Sequence, residues 1–262
     1  MYYSICEDAL VLDNYQKTTQ RSQELYKRAS RVLPGGVTHS GRYWRPYPIF
    51  VESAKGSRLR DVDGNEYIDY WLANGAMYLG HAHPKIVCAV EKQLRKGTQY
   101  GLGSDLMVNV AEKIVEIVPC AEMVRFANSG TEAVTHSLRL ARGFTRRNKI
   151  AKFEGHFHGI VDELWIGYEP PFNQIECAGI PEWLIKNTII LPFNDLDTVL
   201  RTIRRSEEDL AAVIMEVVPH NVIPPNVDFL KGVREITSEK GIVLLFDEIV
   251  TSFRLAPWGA QE

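Results

Sequence analysis

Cysteine is scarce and never clustered: Cys6, Cys88, Cys120 and Cys177 stand far apart in a chain of 262 residues. That spacing excludes the paired thiolates of a structural zinc site and the density of a secreted disulfide scaffold, and it fits a reducing, cytoplasmic compartment. Neither sign of charge is in excess. Thirty Lys and Arg stand against 33 Asp and Glu, leaving a net charge of -3 and neither a basic stripe for nucleic acid nor an acidic tail. No apolar run is long enough to span a bilayer, and the first residues, with Glu7, Asp8 and Asp13, lack a basic-then-apolar signal pattern. No internal repeat or low-complexity segment is present. These absences point to a small-molecule partner, with neither membrane nor nucleic acid expected.

A composition of 45% hydrophobic and 24% charged residues is ordinarily globular, and the length allows a sizeable core. Residues up to about Arg21 are polar and weakly periodic, and Leu25, Ala29 and Val32 then mark one face of a short helix stopped by Pro34-Gly35-Gly36. Ile49-Phe50-Val51, Arg58-Leu59-Arg60 and Tyr67-Ile68-Asp69 flank the turn-forming Asp63-Gly64-Asn65 and predict a small antiparallel meander. From Pro84 the pattern turns helical, with Val87, Val90 and Leu94 on one face and Leu106, Val110, Ile114 and Ile117 on the next. Strands are predicted at Met123–Ala127, Lys149–Phe153, Thr188–Leu191, Ala211–Val217 and Ile242–Phe246, with helices around Ala133–Ala141, Leu196–Ile203 and Phe229–Ile236. Several of these strands are apolar throughout, as strands covered by helices on both faces are, and Ile242–Phe246 is expected at the centre. The fold class is α/β with a mostly parallel sheet. Residues 1–75 form an arm and small antiparallel segment, and residues 76–262 belong to a large domain.

In open parallel sheets ligands gather beyond the carboxyl ends of the strands. Asn128-Ser129-Gly130-Thr131-Glu132 lies between a predicted strand and a predicted helix. The unpaired N–H groups of a helix start, two hydroxyls and a glycine make an anion site, although a plain N-cap by Ser129 or Thr131 accounts for the same residues. Asp247 ends a fully apolar run, where a carboxylate can pair with a cationic ring nitrogen or simply cap a loop; Glu216 has the same placement and the same ambiguity. Gly155-His156-Phe157-His158-Gly159 can present Phe157 as a flat face to an aromatic ring. His156 and His158 with His81 and His83 also allow a metal-dependent hydrolase, but no Cys or carboxylate stands at matching spacing, and no metal is assigned. A phosphate cradle, an aromatic plate and a ring-nitrogen partner at one sheet edge together describe a pocket for pyridoxal 5'-phosphate.

Further stretches carry a resemblance: Leu33 to Val37, Asp61 to Gly64, Leu79 to Pro84, Val124 to Ala133, Arg139 to Arg142, Phe153 to Gly159 and Phe246 to Arg254. In this order they are similar to class III aminotransferases, most closely the aminomutase branch, from about Ser22 to Glu262. The resemblance implies fold type I, pyridoxal phosphate, a homodimer, and an amino group exchanged between an amino acid or amine and an oxo compound. It implies that Ser129, Gly130 and Thr131 hold the phosphate and that Phe157 stacks on the pyridine ring. It also assigns Asp247 to the ring nitrogen, Ile249 to the opposite ring face, Glu216 and Asn221 to the ring's hydroxyl side, and Arg42 to the substrate carboxylate.

The departures concern the substrate. Phe157 replaces a tyrosine common in the aminomutases, Asn74 stands where they carry a tryptophan lining the substrate channel, and the stretch from Tyr43 to Pro48 is shorter. A general transaminase is therefore the first expectation and an aminomutase the second. The family's Schiff-base lysine follows the strand-end aspartate by a few dozen residues, and no lysine follows Asp247 here. Lys152, Lys231 and Lys240 match no catalytic position and are expected at the surface. The chain is accordingly expected to be an inactive, truncated form lacking the C-terminal part of the large domain and the C-terminal domain, with a non-catalytic remnant or subunit as the alternative.

Overall fold

The computed structural model describes residues 9–219 and 223–261. They form two compact units, one ending at Leu102 and the other starting at Gly103.

The first unit opens with α1 (Ala9–Thr18) and α2 (Gln20–Ala29), so the polar stretch before Arg21 is helical although its periodicity is weak. β1 (Val51–Lys55), β2 (Arg58–Asp61) and β3 (Glu66–Ile68) form the expected antiparallel meander. The buried Asp61 carboxylate organises its turn, accepting the amides of Asp63 and Asn65 at 3.0 and 2.8 Å and the Tyr67 hydroxyl at 2.8 Å. Next comes α3 (Leu72–Gly75), a single turn in which Leu72, Ala73, Asn74 and Gly75 all have positive φ. L-residues reach that region only when their surroundings hold them there. The holder is Asp69. Its Oδ1 accepts the amides of Trp71 and Leu72 at 2.8 and 2.9 Å, and its Oδ2 lies 2.6 Å from His81 Nε2.

The main chain of His81 exchanges two 2.8 Å hydrogen bonds with Gly56. A Cβ on Gly80 would stand 3.0 Å from the Gly56 carbonyl oxygen, so this close approach requires glycine. The loop leading to α4 (Pro84–Leu94) is thereby tied to the meander, and the first compact unit includes α4.

The second unit contains α5 (Asp105–Ile117), α6 (Gly130–Thr145), β4 (Lys149–Phe153), α7 (Glu182–Ile185), β5 (Thr188–Leu191), α8 (Leu196–Ser206), β6 (Leu210–Glu216), α9 (Val227–Glu239) and β7 (Val243–Asp247). Its four strands are all parallel, in the order β5-β4-β6-β7. One sheet face packs Ala151, Phe153, Val213 and Met215 against Val199 and Ile203 of α8 and Phe229, Val233 and Ile236 of α9. The other packs Ile150, Ala212 and Ile214 against Val134, Leu138 and Ala141 of α6. Alternation along each strand sends successive residues to opposite layers, which is why β4 and β6 are apolar on both faces.

Three expectations are corrected here. Residues 123–127 form no strand: the segment finds no ladder partner among the described residues, and Met123 is almost fully exposed. The Ile242–Phe246 run is not central, because among the described residues β7 pairs only with β6 and forms the sheet edge, leaving Phe246 36% exposed. The apolar faces of α4 and α5, including Val90, Leu94, Leu106 and Val110, are exposed, since neither helix has buried residues.

Candidate active site

Everything assembled here lies in the second unit. Ser129 is the N-cap of α6: its side-chain oxygen accepts the Glu132 amide at 3.2 Å, while the Glu132 carboxylate accepts the Asn128 amide at 2.7 Å. This variant of the capping box fixes where a sixteen-residue helix begins and leaves its remaining first-turn amides aimed outward. The capping and anion-binding readings of Ser129 therefore describe the same helix end. Thr131 Oγ1 accepts the Ile160 amide at 3.1 Å, which draws the loop after β4 onto the helix start. Gly159 makes that approach possible. Its φ is +75°, and a Cβ there would come within 2.4 Å of Thr131 Oγ1. Gly130 sits against Ile249, whose Cδ1 lies 2.4 Å from where a Cβ would be.

The loop after β4 is sewn to two strand ends. Glu216 and Asp247 are register partners at the carboxyl ends of β6 and β7. Glu216 Oε2 accepts the Phe157 amide at 2.8 Å, and Asp247 Oδ2 lies 2.8 Å from His158 Nδ1. The Asp247 carboxylate is only 4% exposed and its Oδ1 also accepts the Ile249 amide at 3.2 Å. A carboxylate beside Nδ1 favours a proton on that nitrogen. His158 Nε2 is buried and has no hydrogen-bond partner among the described residues. His156 Nδ1 accepts the Glu216 amide at 3.0 Å, which sets its tautomer the other way. Phe157, 39% exposed, meets Trp165 and Tyr168 edge-on at ring-centroid distances of 5.4 and 5.7 Å. Burial raises the pKa of the Tyr168 phenol.

Lys152 corrects a further expectation. It is buried, with 1% of its surface exposed, because it belongs to a strand covered on both sides. Its ammonium donates to three main-chain oxygens, those of His156 at 2.9 Å, Leu164 at 3.1 Å and Ile166 at 2.9 Å. Burial lowers its pKa to about 8, against the opposing fields of Glu176 and Glu216. Lys231 is exposed, and Lys240 is partly exposed and paired with Glu207 at 2.9 Å.

Gly130, Phe157, Glu216, Asp247 and Ile249 are thus linked by direct contacts at the carboxyl end of the sheet, Ser129 and Thr131 adjoin Gly130 in the chain, and Thr131 holds Ile160 of the loop that carries Phe157. Arg42 and Asn74 belong to the first unit, where Arg42 Nη1 donates to Thr38 Oγ1 at 2.6 Å and Asn74 occupies the left-handed turn. Asn221 lies outside the described residues. The residues not foreseen as parts of the site are His158, Trp165, Tyr168 and Lys152. Among the described residues no three His, Cys, Asp or Glu side chains are grouped to hold a metal ion. The four histidines of the hydrolase reading are divided, with His81 paired to Asp69 in the first unit and His158 to Asp247 in the second.

A parallel α/β sheet with a helix start, an aromatic face and a buried carboxylate at one edge belongs to the enzymes of aminotransferase fold type I. Residues 40–256 match the class III aminotransferase family, and the chain belongs to it. It is 48% identical over 247 residues to a glutamate-1-semialdehyde 2,1-aminomutase of Methanococcus maripaludis, covering 92% of this chain and 58% of that protein. An omega-transaminase from Sphaerobacter thermophilus superposes with a TM-score of 0.88 at 36% identity, over 92% of this chain and 57% of that one. A transaminase solved with PLP bound gives a TM-score of 0.88 at 37% identity, over 92% and 58%. The chain spans less than three fifths of the length of these relatives. No helix among the described residues is long and apolar enough to cross a membrane.

Proposed function

We propose that this chain supplies the cofactor face of a pyridoxal-phosphate enzyme that moves an amino group between an amino acid or amine and an oxo compound. The observation that carries the reading is the convergence of the α6 start, the Phe157 ring and the Asp247–His158 pair at one sheet edge. The residues fit the group. The α6 amides with Ser129 and Thr131 suit a phosphate, the half-exposed Phe157 ring suits a pyridine face, and the buried Asp247 carboxylate suits a cationic ring nitrogen. Bound there, the cofactor would supply an electron sink for charge developing at the substrate's amino-bearing carbon.

Each residue has a separate task in this proposal. Asp247 keeps a proton on the ring nitrogen, and His158 Nδ1 holds that carboxylate in place. Glu216 orients the loop through the Phe157 amide. Ile249 limits the space on the other side of the ring beside Gly130. The buried Lys152 is committed to three main-chain carbonyls and is not free to link to the cofactor.

A second reading, glutamate-1-semialdehyde 2,1-aminomutase, is favoured by relatives of that name at 44–48% identity. Phe157, in place of the tyrosine common in the aminomutases, argues for a broader amino donor. The test is to titrate pyridoxal phosphate into the full-length protein and follow its absorption band. Saturable binding and amino transfer to an added oxo acid are expected. Conversion of glutamate-1-semialdehyde with no added acceptor would select the aminomutase, and failure to bind the cofactor would refute both readings.

A further inference from the structure

We propose that Lys152 is a positioning residue: through three main-chain carbonyls its ammonium sets the aromatic face on which the cofactor ring would rest. The three acceptors belong to one loop and flank its aromatic residues. The His156 carbonyl immediately precedes Phe157, and the Leu164 and Ile166 carbonyls bracket Trp165. Trp165 stacks on Tyr168 with a ring-centroid distance of 6.1 Å and an interplanar angle of 14°, and both meet Phe157 edge-on. The other side of the loop is fixed independently. The Glu176 amide donates to the Trp165 carbonyl at 3.1 Å, and Glu176 Oε1 accepts the Tyr168 amide at 3.0 Å.

A buried ammonium is expensive to desolvate, and an apolar side chain of similar volume usually serves a core at least as well. Among the described residues no carboxylate forms an ion pair with Lys152. What the position gains is geometric, because three N–H donors of one ammonium match three carbonyls of a single loop. The carboxylates whose fields reach the amine are Glu216 on β6 and Glu176 in the loop. β5, paired with β4, carries only Thr188, Ile189, Ile190 and Leu191, and α6 contributes Val134, Leu138 and Ala141 to the same sheet face.

The clamp has a pH signature of its own. A neutral amine has two donors for three carbonyls, so raising the pH through about 8 leaves one carbonyl without its partner. Global stability moves the other way. The folded state then releases a proton that the unfolded chain holds up to 10.5, so this group makes the fold more stable as pH rises from about 8 to 10.5. A lysine with only a structural role would give the second effect without the first.

The proposal rests on the cofactor reading for its functional meaning, but its primary test uses cofactor-free full-length protein. Trp165 fluorescence, with Trp165→Phe as the blank for the other tryptophans, is followed between pH 6.5 and 9.5, a range of about three units around the titration of Lys152. A sigmoidal change with its midpoint near 8 is expected, and a flat Trp165 signal would overturn the clamp. Lys152→Met should unfold at a lower urea concentration than wild type because three buried carbonyls lose their donor, lose the pH-dependent change, and bind pyridoxal phosphate about tenfold more weakly. A Lys152→Met protein with unchanged Trp165 signal and unchanged cofactor affinity would also overturn it. If that variant does not fold, the wild-type titration decides alone. A clamp signal in wild-type protein that binds no pyridoxal phosphate would support the geometry and reject the cofactor reading.

Discussion

β6 and β7 are written in much the same residues and live in different surroundings. Leu210-Ala211-Ala212-Val213-Ile214-Met215-Glu216 lies between β4 and β7 with helices on both faces and is buried throughout. Val243-Leu244-Leu245-Phe246-Asp247 has a single strand neighbour and stays half-buried. Burial therefore follows the neighbours a strand is given, and composition states only what the strand can tolerate. The site is divided along the same line, with Glu216 at the end of the enclosed strand and Asp247 at the end of the edge strand.

The largest effect that tests this contrast is on stability. Met215→Asp places an unpaired charge at a position with no exposure and should cost about 3–5 kcal/mol in urea denaturation. Phe246→Asp in this chain should cost roughly 1–2 kcal/mol, since only part of its ring leaves water. Equal costs would mean that β7 is as enclosed as β6.

Next comes the chemistry at the two strand ends. In full-length protein Asp247→Asn should lower turnover by about 10²- to 10³-fold with cofactor still bound, because a neutral amide cannot keep the ring nitrogen protonated. Glu216→Gln keeps an acceptor for the Phe157 amide and should cost less than about tenfold. Steady-state kinetics of the two variants decide the point, and equal losses would contradict the division of roles between the strands.

Ser129→Ala removes the α6 cap and should cost about 0.5–2 kcal/mol, read as a lower unfolding midpoint and weaker phosphate affinity at unchanged turnover of the saturated enzyme. The smallest effect is expected from Gly130→Ala. Its methyl meets only the far end of the Ile249 side chain, in the exposed turn after β7, so the change in stability should stay within about 1 kcal/mol. A larger loss would show that the turn after the edge strand is as rigid as the core.

Much of this architecture could be read from the chain. Each ladder strand, β4 to β7, falls within a residue of its predicted position and α8 and α9 start within two residues of theirs, because apolar runs bounded by turn residues leave few alternatives, while α6 extends three residues before and four beyond its predicted range. Where the pattern failed, the missing information was non-local. Residues 123–127 have the composition of a strand, but a ladder needs a partner. Lys152 is a single polar residue in an apolar run, in phase with Ile150, and that phase was a usable sign of burial. Nothing near it in sequence announces three carbonyls supplied by a loop up to fourteen residues away. The same holds for His158, which meets Asp247 across 89 residues. The candidate ring and nitrogen residues, Phe157 and Asp247, could be proposed because they stand just after β4 and at the end of β7, where parallel sheets concentrate their chemistry, and the candidate phosphate residues because they open α6.

The start of α6 has a further consequence, one of polarity. A hydroxyl has one hydrogen to give and two lone pairs to receive with. Ser129 and Thr131 each spend their receiving side on a main-chain amide of this protein, that of Glu132 and that of Ile160. What each has left to offer a visitor is chiefly its hydrogen. Two such groups beside the helix amides would make a surface richer in donors than in acceptors, one that under the proposed function favours a fully ionised phosphate ester over an alcohol or amine of the same shape. An aspartate at residue 129 would cap the helix as well as serine does, and it would close the site to the anion.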